Sequence, residues 1–173
     1  MIQAMIDYTQ SIKHDHYLTP PCALEPLLHH LSNRWKIWEP TDTYGDSPIT
    51  KVFKGSGYDV ISTAKSGLDF LLDTPNFYFD CIITNPPYSL KDQFIERCIK
   101  LGKPWALLMP ITALEGVYRG ALFSKIELQL CIFDRRLQFT NGQNWFNASW
   151  FASGIFPKQL QFWKLNKELV WQD

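Results

Sequence analysis

The stretch Phe79-Asp-Cys-Ile-Ile-Thr-Asn-Pro-Pro-Tyr88 decides the fold class of this chain. Its first half is a short apolar run that only Asp80 interrupts, and it closes at Thr84 and Asn85, which predicts a buried strand that stops abruptly. In open α/β sheets, ligands bind beyond the carboxyl ends of parallel strands. We therefore expect a functional site to begin where this strand ends.

The residues after the strand form a stiff loop. Pro86 and Pro87 fix φ at consecutive positions and remove two amide donors, which leaves the nearby carbonyl groups free to face a ligand. Asn85 adds an amide oxygen and Tyr88 an aromatic face. This set can hold a planar ring that carries an amino group, because Asn85 and the Pro86 carbonyl can each accept one amino hydrogen. The alternative is a rigid turn without chemistry, since Asn and Pro are common turn residues.

The pattern Asp80-x-x-x-Thr-Asn-Pro-Pro-Tyr88 resembles the catalytic motif of S-adenosylmethionine-dependent amino methyltransferases, and is most similar to that of adenine-specific DNA methyltransferases of phages and bacteria. The resemblance implies that Asn85 and Pro86 bind the target nitrogen and that Pro87 and Tyr88 complete the catalytic set. Two acceptors on the amino hydrogens favour a localised lone pair that is aligned with the sulfonium methyl group. A base in a duplex would have to flip out and stack on Tyr88.

The same resemblance implies a fold and a cofactor. The fold is α/β: a Rossmann-like class I methyltransferase with a mostly parallel sheet, an antiparallel closing strand and flanking helices. The cofactor is S-adenosyl-L-methionine. Apolar runs and amphipathic segments alternate as this fold requires. They predict strands at 35–39, 58–62, 79–83, 105–109, 126–133 and 148–156, and helices at 22–31, 48–54 and 90–101.

A segment near the N-terminus is similar to a cofactor motif of the same family. The pattern Tyr17-x-Thr-Pro20 precedes the first predicted helix. In the family, an aromatic residue and the start of a helix flank the methionine end of the cofactor. The resemblance implies that Tyr17, Thr19 and Pro20 line the cofactor pocket. Thr-Pro before a helix is also an ordinary helix-start signal.

The turn after the first predicted strand resembles the Glu-Pro-x-x-Gly-x-Gly loop of the family. Glycine in such a turn lets the backbone and the following helix N-terminus approach a cofactor. Here the loop is longer than the pattern, and Ser47 or Pro48 falls where a second glycine is expected. The turn keeps four residues of the pattern, which the resemblance assigns to cofactor binding: Glu39, Pro40, Gly45 and Asp46.

The second predicted strand lacks the acidic residue with which family members bond the ribose hydroxyls, unless Asp59 takes that role. Further along, Asp69-Phe-Leu71 resembles the segment that contacts the adenine ring of the cofactor. The resemblance implies that Asp69 accepts a hydrogen bond from the adenine amino group and that Phe70 packs on the ring. The alternative is an exposed Asp and a core Phe in a turn.

A polar and aromatic loop precedes the last of these predicted strands, and it is similar to an Asn-Gly loop of phage and bacterial adenine methyltransferases. Cations that can bind phosphate, amides and a stacking ring suit a loop near an extruded base. The alternative is a hairpin loop with buried aromatic residues. The candidate nucleic-acid-binding residues are Arg119, Arg135, Arg136, Asn141, Asn144 and Trp145.

Composition limits the organisation of the chain. With 173 residues, of which 46% are hydrophobic, we expect a single domain (1–173) in which 1–16 form a flexible lead-in and no separate target-recognition domain is present. Lysine plus arginine and aspartate plus glutamate both number 17, so the formal net charge is zero. Without a global field, a polyanion would have to bind at a local basic patch.

The cysteine pattern and the hydropathy indicate a cytoplasmic protein, and the resemblance implies a bacterium or a phage-infected host. The cysteines are widely spaced and form no Cys-x-x-Cys pair, which predicts reduced core thiols and no metal site. The sequence shows no signal-peptide pattern and no apolar run of membrane-spanning length, so we expect no membrane association. The cysteines are Cys22, Cys81, Cys98 and Cys131.

The leading hypothesis is methyl transfer to the exocyclic amino group of adenine in DNA, with nucleic acid as the partner. Relatives with the same motif modify cytosine in DNA, adenine in RNA or a glutamine side chain in a protein, because a planar amide and a planar base pose the same chemical problem. The altered glycine loop supports a second class: a methyltransferase-like protein that is a non-catalytic subunit or decoy. A protein partner or a homo-oligomer is compatible with either hypothesis.

Overall fold

The computed structural model describes residues 18–139 and 147–166, which form a seven-stranded sheet with the strand order β2-β1-β3-β4-β6-β5-β7. The strands are β1 (Lys36–Glu39), β2 (Asp59–Ser62), β3 (Cys81–Thr84), β4 (Trp105–Pro110), β5 (Gln129–Phe133), β6 (Ala148–Ser153) and β7 (Leu160–Trp163). The helices in these ranges are α1 (Glu25–His30), α2 (Pro48–Gly55), α3 (Lys91–Leu101) and α4 (Val117–Phe123), with 3-10 turns at Pro21–Leu24, Ala64–Ser66, Tyr88–Leu90 and Ile111–Leu114.

The sheet is parallel except at β6. Strands β1, β2, β3 and β4 pair in parallel, and β5 pairs in parallel with β7. Strand β6 is antiparallel to both of its neighbours, β4 and β5. The prediction of a mostly parallel sheet with an antiparallel closing strand and flanking helices is confirmed.

Helices cover both faces of the sheet, and each face has its own apolar core. On one face, Ile37 and Ile83 pack with residues of α1 and α2, whereas on the other face Trp38 and Ile82 pack with residues of α3 and α4. Neighbouring residues of one strand therefore point into different cores. This is why β3 is apolar at consecutive positions, as is typical of parallel strands that are buried on both sides.

The strand ends that matter for function lie at one edge of the sheet, which we call the carboxyl edge. Glu39 is paired with Ser62, so that β1 and β2 end side by side. Thr84 ends β3 and pairs with Leu107 of β4, which continues to Pro110. The carboxyl edge thus consists of the ends of β1 to β4 and of the loops that follow them.

Two strands are shorter than predicted, and the Gln129 side chain binds the chain just beyond the end of one of them, β6. The Gln129 Oε1 atom accepts hydrogen bonds from the N–H groups of Ile155 and Phe156, both at 2.9 Å, and its Nε2 atom donates to the Phe156 carbonyl at 2.6 Å. The chain leaves the sheet just before this, at Gly154, whose φ is 70°. Strand β6 ends at Ser153 instead of residue 156, and β5 begins at Gln129 instead of residue 126.

Strand β3 begins at Cys81, two residues later than predicted, because the Asp80 side chain binds the neighbouring strand. The Asp80 Oδ2 atom accepts the Lys36 N–H at 2.7 Å, and its Oδ1 atom accepts the Tyr78 hydroxyl. Asp80 thus belongs to the opposite end of β3 from the carboxyl edge. Its place in the matched pattern reflects strand pairing.

The four cysteines are buried free thiols, as predicted. Burial raises the pKa of the Cys81 and Cys98 thiols far above the ordinary value, which makes them poor nucleophiles. Within the two described ranges, no helix is both long enough and apolar enough to span a bilayer.

Candidate functional site

The Asn85 loop (residues 85–88) follows β3 directly and lies at the carboxyl edge. Asn85 and Pro87 are half-buried, Pro86 is buried, and the Tyr88 side chain is only 9% exposed. The Leu90 N–H donates to the Pro87 carbonyl at 2.9 Å and starts the turn into α3. The four residues predicted to act in catalysis therefore lie in one short segment, which starts directly after the last residue of β3.

Glu39, the last residue of β1, lies beside the Asn85 loop and is 1% exposed. Its Oε1 atom accepts three hydrogen bonds: from the Thr41 N–H at 2.9 Å, the Thr41 hydroxyl at 2.9 Å and the Thr84 hydroxyl at 2.6 Å. Burial raises the pKa of Glu39 to about 7, although these hydrogen bonds oppose the rise, and the nearby charge of Asp42 adds to it. Glu39 therefore changes its charge near neutral pH.

The Asp42 loop (residues 40–47) follows β1 and is organised by a carboxylate that sequence reasoning did not identify. Asp42 is 4% exposed. Its carboxylate accepts the N–H groups of Tyr44, Gly45, Asp46 and Ser47 at 2.8 to 3.2 Å. An Asp that precedes a glycine-bearing turn is a common signal for such bonds to nearby amides, and this signal was present in the sequence.

Asp42 also joins the loop to the next two elements. The Thr50 hydroxyl of α2 donates to Asp42 Oδ2 at 2.5 Å, and the Ser62 hydroxyl at the end of β2 donates at 3.3 Å. Burial alone would raise the pKa of the Asp42 carboxyl, but the hydrogen bonds from Thr50 and the loop amides outweigh it and lower the pKa. A buried negative charge is therefore fixed at the start of α2.

This charge changes which ligands the carboxyl edge can accept. In dinucleotide-binding α/β folds, the first helix N-terminus and the amides before it hold a pyrophosphate. Here Asp42 occupies those amides, and the Ser47 hydroxyl accepts the Thr50 N–H at 3.1 Å as the N-cap of α2. The residue at the expected second glycine thus has a structural role. A phosphate would meet a carboxylate, whereas a cationic or neutral ligand would not be repelled.

The remaining residues predicted in the Asp42 loop lie close together. Pro40 is buried behind Glu39, and Gly45 turns the loop with a φ of 74°. Asp46 is exposed and forms an ion pair of 3.5 Å with Lys51. Pro40, Gly45 and Asp46 are thus assembled with Glu39 at the carboxyl edge, and their contact with a cofactor stays a prediction.

The end of β2 carries no acidic residue in the place where family members bond the ribose hydroxyls of the cofactor. Asp59 lies at the start of this strand, where it forms an ion pair of 2.9 Å with Lys36 at the opposite edge of the sheet. The end of the strand is Ser62, whose hydroxyl belongs to the Asp42 network. Asp59 therefore does not take the ribose-binding role that the sequence left open.

The Asp69 segment is fixed by α3. The Arg97 Nε atom donates to the Phe70 carbonyl at 2.9 Å, and the guanidinium also donates to the Asp73 carbonyl. Phe70 is 2% exposed, and its ring stacks on Phe94 at 4.8 Å and meets Trp38 edge-on at 5.0 Å. The ring belongs to the core, which agrees with the alternative interpretation of this turn, so that its contact with adenine stays a prediction.

The N-terminal motif is described only from its second half. Thr19 and Pro20 are buried, and the Pro20 carbonyl accepts the Ala23 N–H at 2.9 Å in the turn that leads to α1. Tyr17 lies outside the described residues. The predicted role of all three in the cofactor pocket is not tested by these contacts.

Of the candidate nucleic-acid-binding residues that the structure describes, Arg119 is half-buried, whereas Arg135 and Arg136 are exposed. The Arg119 guanidinium forms an ion pair of 3.0 Å with Asp92 and donates to the carbonyls of Ala113 and Glu115. Arg135 pairs with its neighbour Asp134 at 2.9 Å, and Arg136 is exposed. Their contact with nucleic acid stays a prediction, and three further candidates, Asn141, Asn144 and Trp145, lie outside the described residues.

In the described part of the chain, no cluster of three or more His, Cys, Asp or Glu side chains is arranged to hold a metal ion. His14 and His16, which alternate in the N-terminal segment, lie outside it.

Neither the protein-family models nor the curated proteins include a match to this chain. Solved structures do match. A protein from Listeria monocytogenes, described as a candidate class I S-adenosylmethionine-dependent methyltransferase, is 14% identical with a TM-score of 0.55, and the match covers 86% of this chain and 65% of that one. The chain thus spans about two thirds of that protein. This likeness shows the fold, which is the Rossmann-like fold of class I methyltransferases.

Two further structures are more distant. A protein from Agrobacterium tumefaciens, described as a predicted O-methyltransferase, is 13% identical with a TM-score of 0.47, and the match covers 84% of this chain and 85% of that one. A protein from Thermoplasma acidophilum, described as a candidate methyltransferase, is 11% identical with a TM-score of 0.31, and the match covers 75% and 72% of the two chains.

Proposed function

We propose that this protein transfers a methyl group from S-adenosyl-L-methionine to the exocyclic amino group of adenine in DNA. One observation carries the proposal: the Asn85 loop and the Asp42 loop begin side by side at the carboxyl edge, where the Thr84 hydroxyl joins them through Glu39 at 2.6 Å. Ligands of open α/β sheets bind at this edge. A polar clamp for an amino group therefore adjoins a loop that suits a cofactor.

The charges of the Asp42 loop support a sulfonium cofactor over a phosphate-bearing one. S-Adenosylmethionine carries no phosphate, and it supplies an electrophilic methyl group on a positively charged sulfur. Asp42 closes the phosphate position at the start of α2. Glu39 Oε1 is saturated by its three donors, and no hydrogen bond from residues 18–139 or 147–166 reaches Oε2, which leaves this oxygen for a cationic group. The residues present thus fit this cofactor.

The Asn85 loop supports an amino group as the acceptor. The Asn85 amide oxygen and the Pro86 carbonyl would accept the two amino hydrogens, which favours a localised lone pair on the nitrogen. The prolines hold both groups in place before the acceptor binds, so that little ordering is required at the moment of transfer. Tyr88, which is 9% exposed, would stack on the flipped base.

The experiment is transfer of tritium-labelled methyl groups from S-adenosylmethionine to unmethylated duplex DNA, with total RNA and a protein lysate as parallel acceptors. We expect label in adenine of the DNA with the wild-type chain and none with Asn85→Ala. Label in RNA or protein alone would show that DNA is not the acceptor, while methyl transfer to an amino group would stand. If no acceptor is labelled although cofactor binds, the non-catalytic alternative is correct.

A further inference from the structure

Thr84 connects the two loops of the carboxyl edge. It is the last residue of β3, directly precedes Asn85, and is fully buried at 0% exposure. Its hydroxyl lies 2.6 Å from Glu39 Oε1 and 2.7 Å from the hydroxyl of Thr41 in the Asp42 loop. The Thr41 hydroxyl closes a triangle of three oxygens, because it also lies 2.9 Å from Glu39 Oε1.

We propose that Thr84 is a positioning residue, and that its hydroxyl couples the Asp42 loop to the Asn85 loop through this triangle, so that a ligand held by one loop fixes the other. The part of this proposal that concerns the cofactor rests on the proposed function. The coupling between the two loops does not, since it is a property of the protein without ligands.

The coupling follows from the hydrogen bonds of the triangle. Glu39 lies on β1 and Thr84 on β3, and their hydrogen bond links the end of one strand to the start of the Asn85 loop. A change in the position of Thr41 moves an oxygen that touches both Glu39 and Thr84. Glu39 and Thr84 are buried and Thr41 is half-buried, so the Glu39–Thr84 contact, once lost, is not easily replaced by water.

The number of protons shared among Thr41, Thr84 and Glu39 makes the hydrogen bonding of the triangle sensitive to a charged ligand. The two hydroxyl groups supply two protons for three oxygen–oxygen contacts, so the third contact gains a proton only when Glu39 is protonated. A cation at Glu39 Oε2 favours the carboxylate and therefore the arrangement in which both hydroxyls donate to Oε1. Asp42 is the charged group that acts on Glu39 from the adjoining loop, whereas β2 and β3 present hydroxyls there. The charge of a ligand thereby changes the hydrogen bonding of Thr84, the residue that precedes Asn85.

Hydrogen exchange on the full chain without ligand tests the coupling, with mass spectrometry resolving peptides that cover 41–47 and 85–94. We expect Thr84→Val to speed exchange in 41–47 about tenfold, and Thr41→Val to speed it similarly in 85–94, as one lost buried hydrogen bond allows. Thr84→Ser keeps the hydroxyl and should restore wild-type exchange. Thr63→Val is the matched control: it removes a buried hydroxyl that accepts the Trp38 indole N–H at 2.9 Å, outside the triangle.

Faster exchange confined to the mutated loop would overturn the coupling, and so would an equal effect of Thr63→Val on both peptides. A second arm adds S-adenosylhomocysteine. We expect protection of both peptides in the wild type and in Thr84→Ser, and of 41–47 alone in Thr84→Val. If the cross-loop effect is present while the wild type gains no protection, the coupling stands and the proposed cofactor is wrong. Protection of both peptides in Thr84→Val would overturn transmission through Thr84.

Discussion

The two loops of the carboxyl edge are rigid for different reasons. The Asp42 loop is held by a buried carboxylate that gathers four backbone N–H groups, together with hydroxyls of Thr50 and Ser62. The Asn85 loop is held by the covalent rings of Pro86 and Pro87, which fix φ without any partner. The shape of the Asp42 loop therefore depends on a charged group and on residues distant in the chain, whereas the Asn85 loop is stiff because of its own two prolines.

This difference separates two kinds of sensitivity. Removing a carboxylate from the first loop should affect stability, since buried donors lose their acceptor. Changing the side chains of Asn85 and Tyr88 in the second loop should affect function while the fold persists, because the prolines still set its shape. Four substitutions test this contrast.

Asp42→Ala should lower the free energy of unfolding by about 4 kcal/mol, because several buried donors lose their acceptor together. Urea denaturation followed by circular dichroism measures the change. The matched control is Asp46→Ala in the same loop, whose exposed ion pair with Lys51 should be worth less than about 0.5 kcal/mol. Equal losses in the two variants would contradict the role of Asp42.

Glu39→Gln should stabilise the protein above neutral pH. The pKa of Glu39 rises from 4.5 to about 7, which corresponds to roughly 3 kcal/mol at 1.36 kcal/mol per unit. Between these values the native state binds more protons than the unfolded state, so the wild-type unfolding free energy falls as pH rises. The advantage of Glu39→Gln should be absent below pH 4.5 and complete above pH 7.

Urea denaturation across this pH range measures the advantage. The matched control is Asp46→Asn, which removes an exposed carboxylate from the neighbouring loop and should show no such rise. A difference between Glu39→Gln and the wild type that stays constant with pH would mean that Glu39 is not the titrating group.

Asn85→Ala should leave the fold and the cofactor affinity nearly unchanged, and it should lower kcat at least about a hundredfold, because its hydrogen bond strengthens only during transfer. Initial-rate methyl transfer at saturating cofactor gives kcat, and calorimetry gives the affinity. Wild-type turnover in this variant would rule out Asn85 as the acceptor of an amino hydrogen.

Tyr88→Ala should weaken binding of the acceptor by about 2 kcal/mol, the typical value of one lost base–aromatic stack. Fluorescence anisotropy with a labelled unmethylated oligonucleotide, in the presence of S-adenosylhomocysteine, measures the affinity. Tyr88→Phe is the control and should bind like the wild type, since it keeps the ring. Equal affinity of all three proteins would exclude the stacking contact.

The same contrast explains what the sequence could predict. The fold and the Asn85 loop were predictable because they depend on local patterns: apolar runs, amphipathic helices and consecutive prolines. The bonds of Asp42 to nearby amides were predictable from an Asp before a glycine-bearing turn, whereas its side-chain partners, Thr50 and Ser62, are 8 and 20 residues away and meet it only after folding. The bonds of the distant Gln129 side chain just beyond the end of β6 were missed for the same reason.

The Asp69 segment shows the opposite limit. The match to a cofactor motif assigned Phe70 to the adenine ring of the cofactor. The packing of the Phe70 ring against Trp38 and Phe94 depends on elements that are far apart in the chain. Arg119 was predicted to bind nucleic acid from its place in a segment near the site, and its ion pair with Asp92, 27 residues away, was not predictable from the sequence. Residue type predicts what a side chain can do, and tertiary contacts decide which partner it meets.

The carboxyl edge, with Asp42 and Glu39 buried in it, should accept a sulfonium cofactor and reject a phosphate-bearing one. Calorimetric titration of the wild-type chain at pH 8 with S-adenosylmethionine and, separately, with NAD tests this expectation directly. We predict binding of S-adenosylmethionine in the micromolar range, about −8 kcal/mol, and no measurable heat with NAD. Binding of NAD without binding of S-adenosylmethionine would contradict the account.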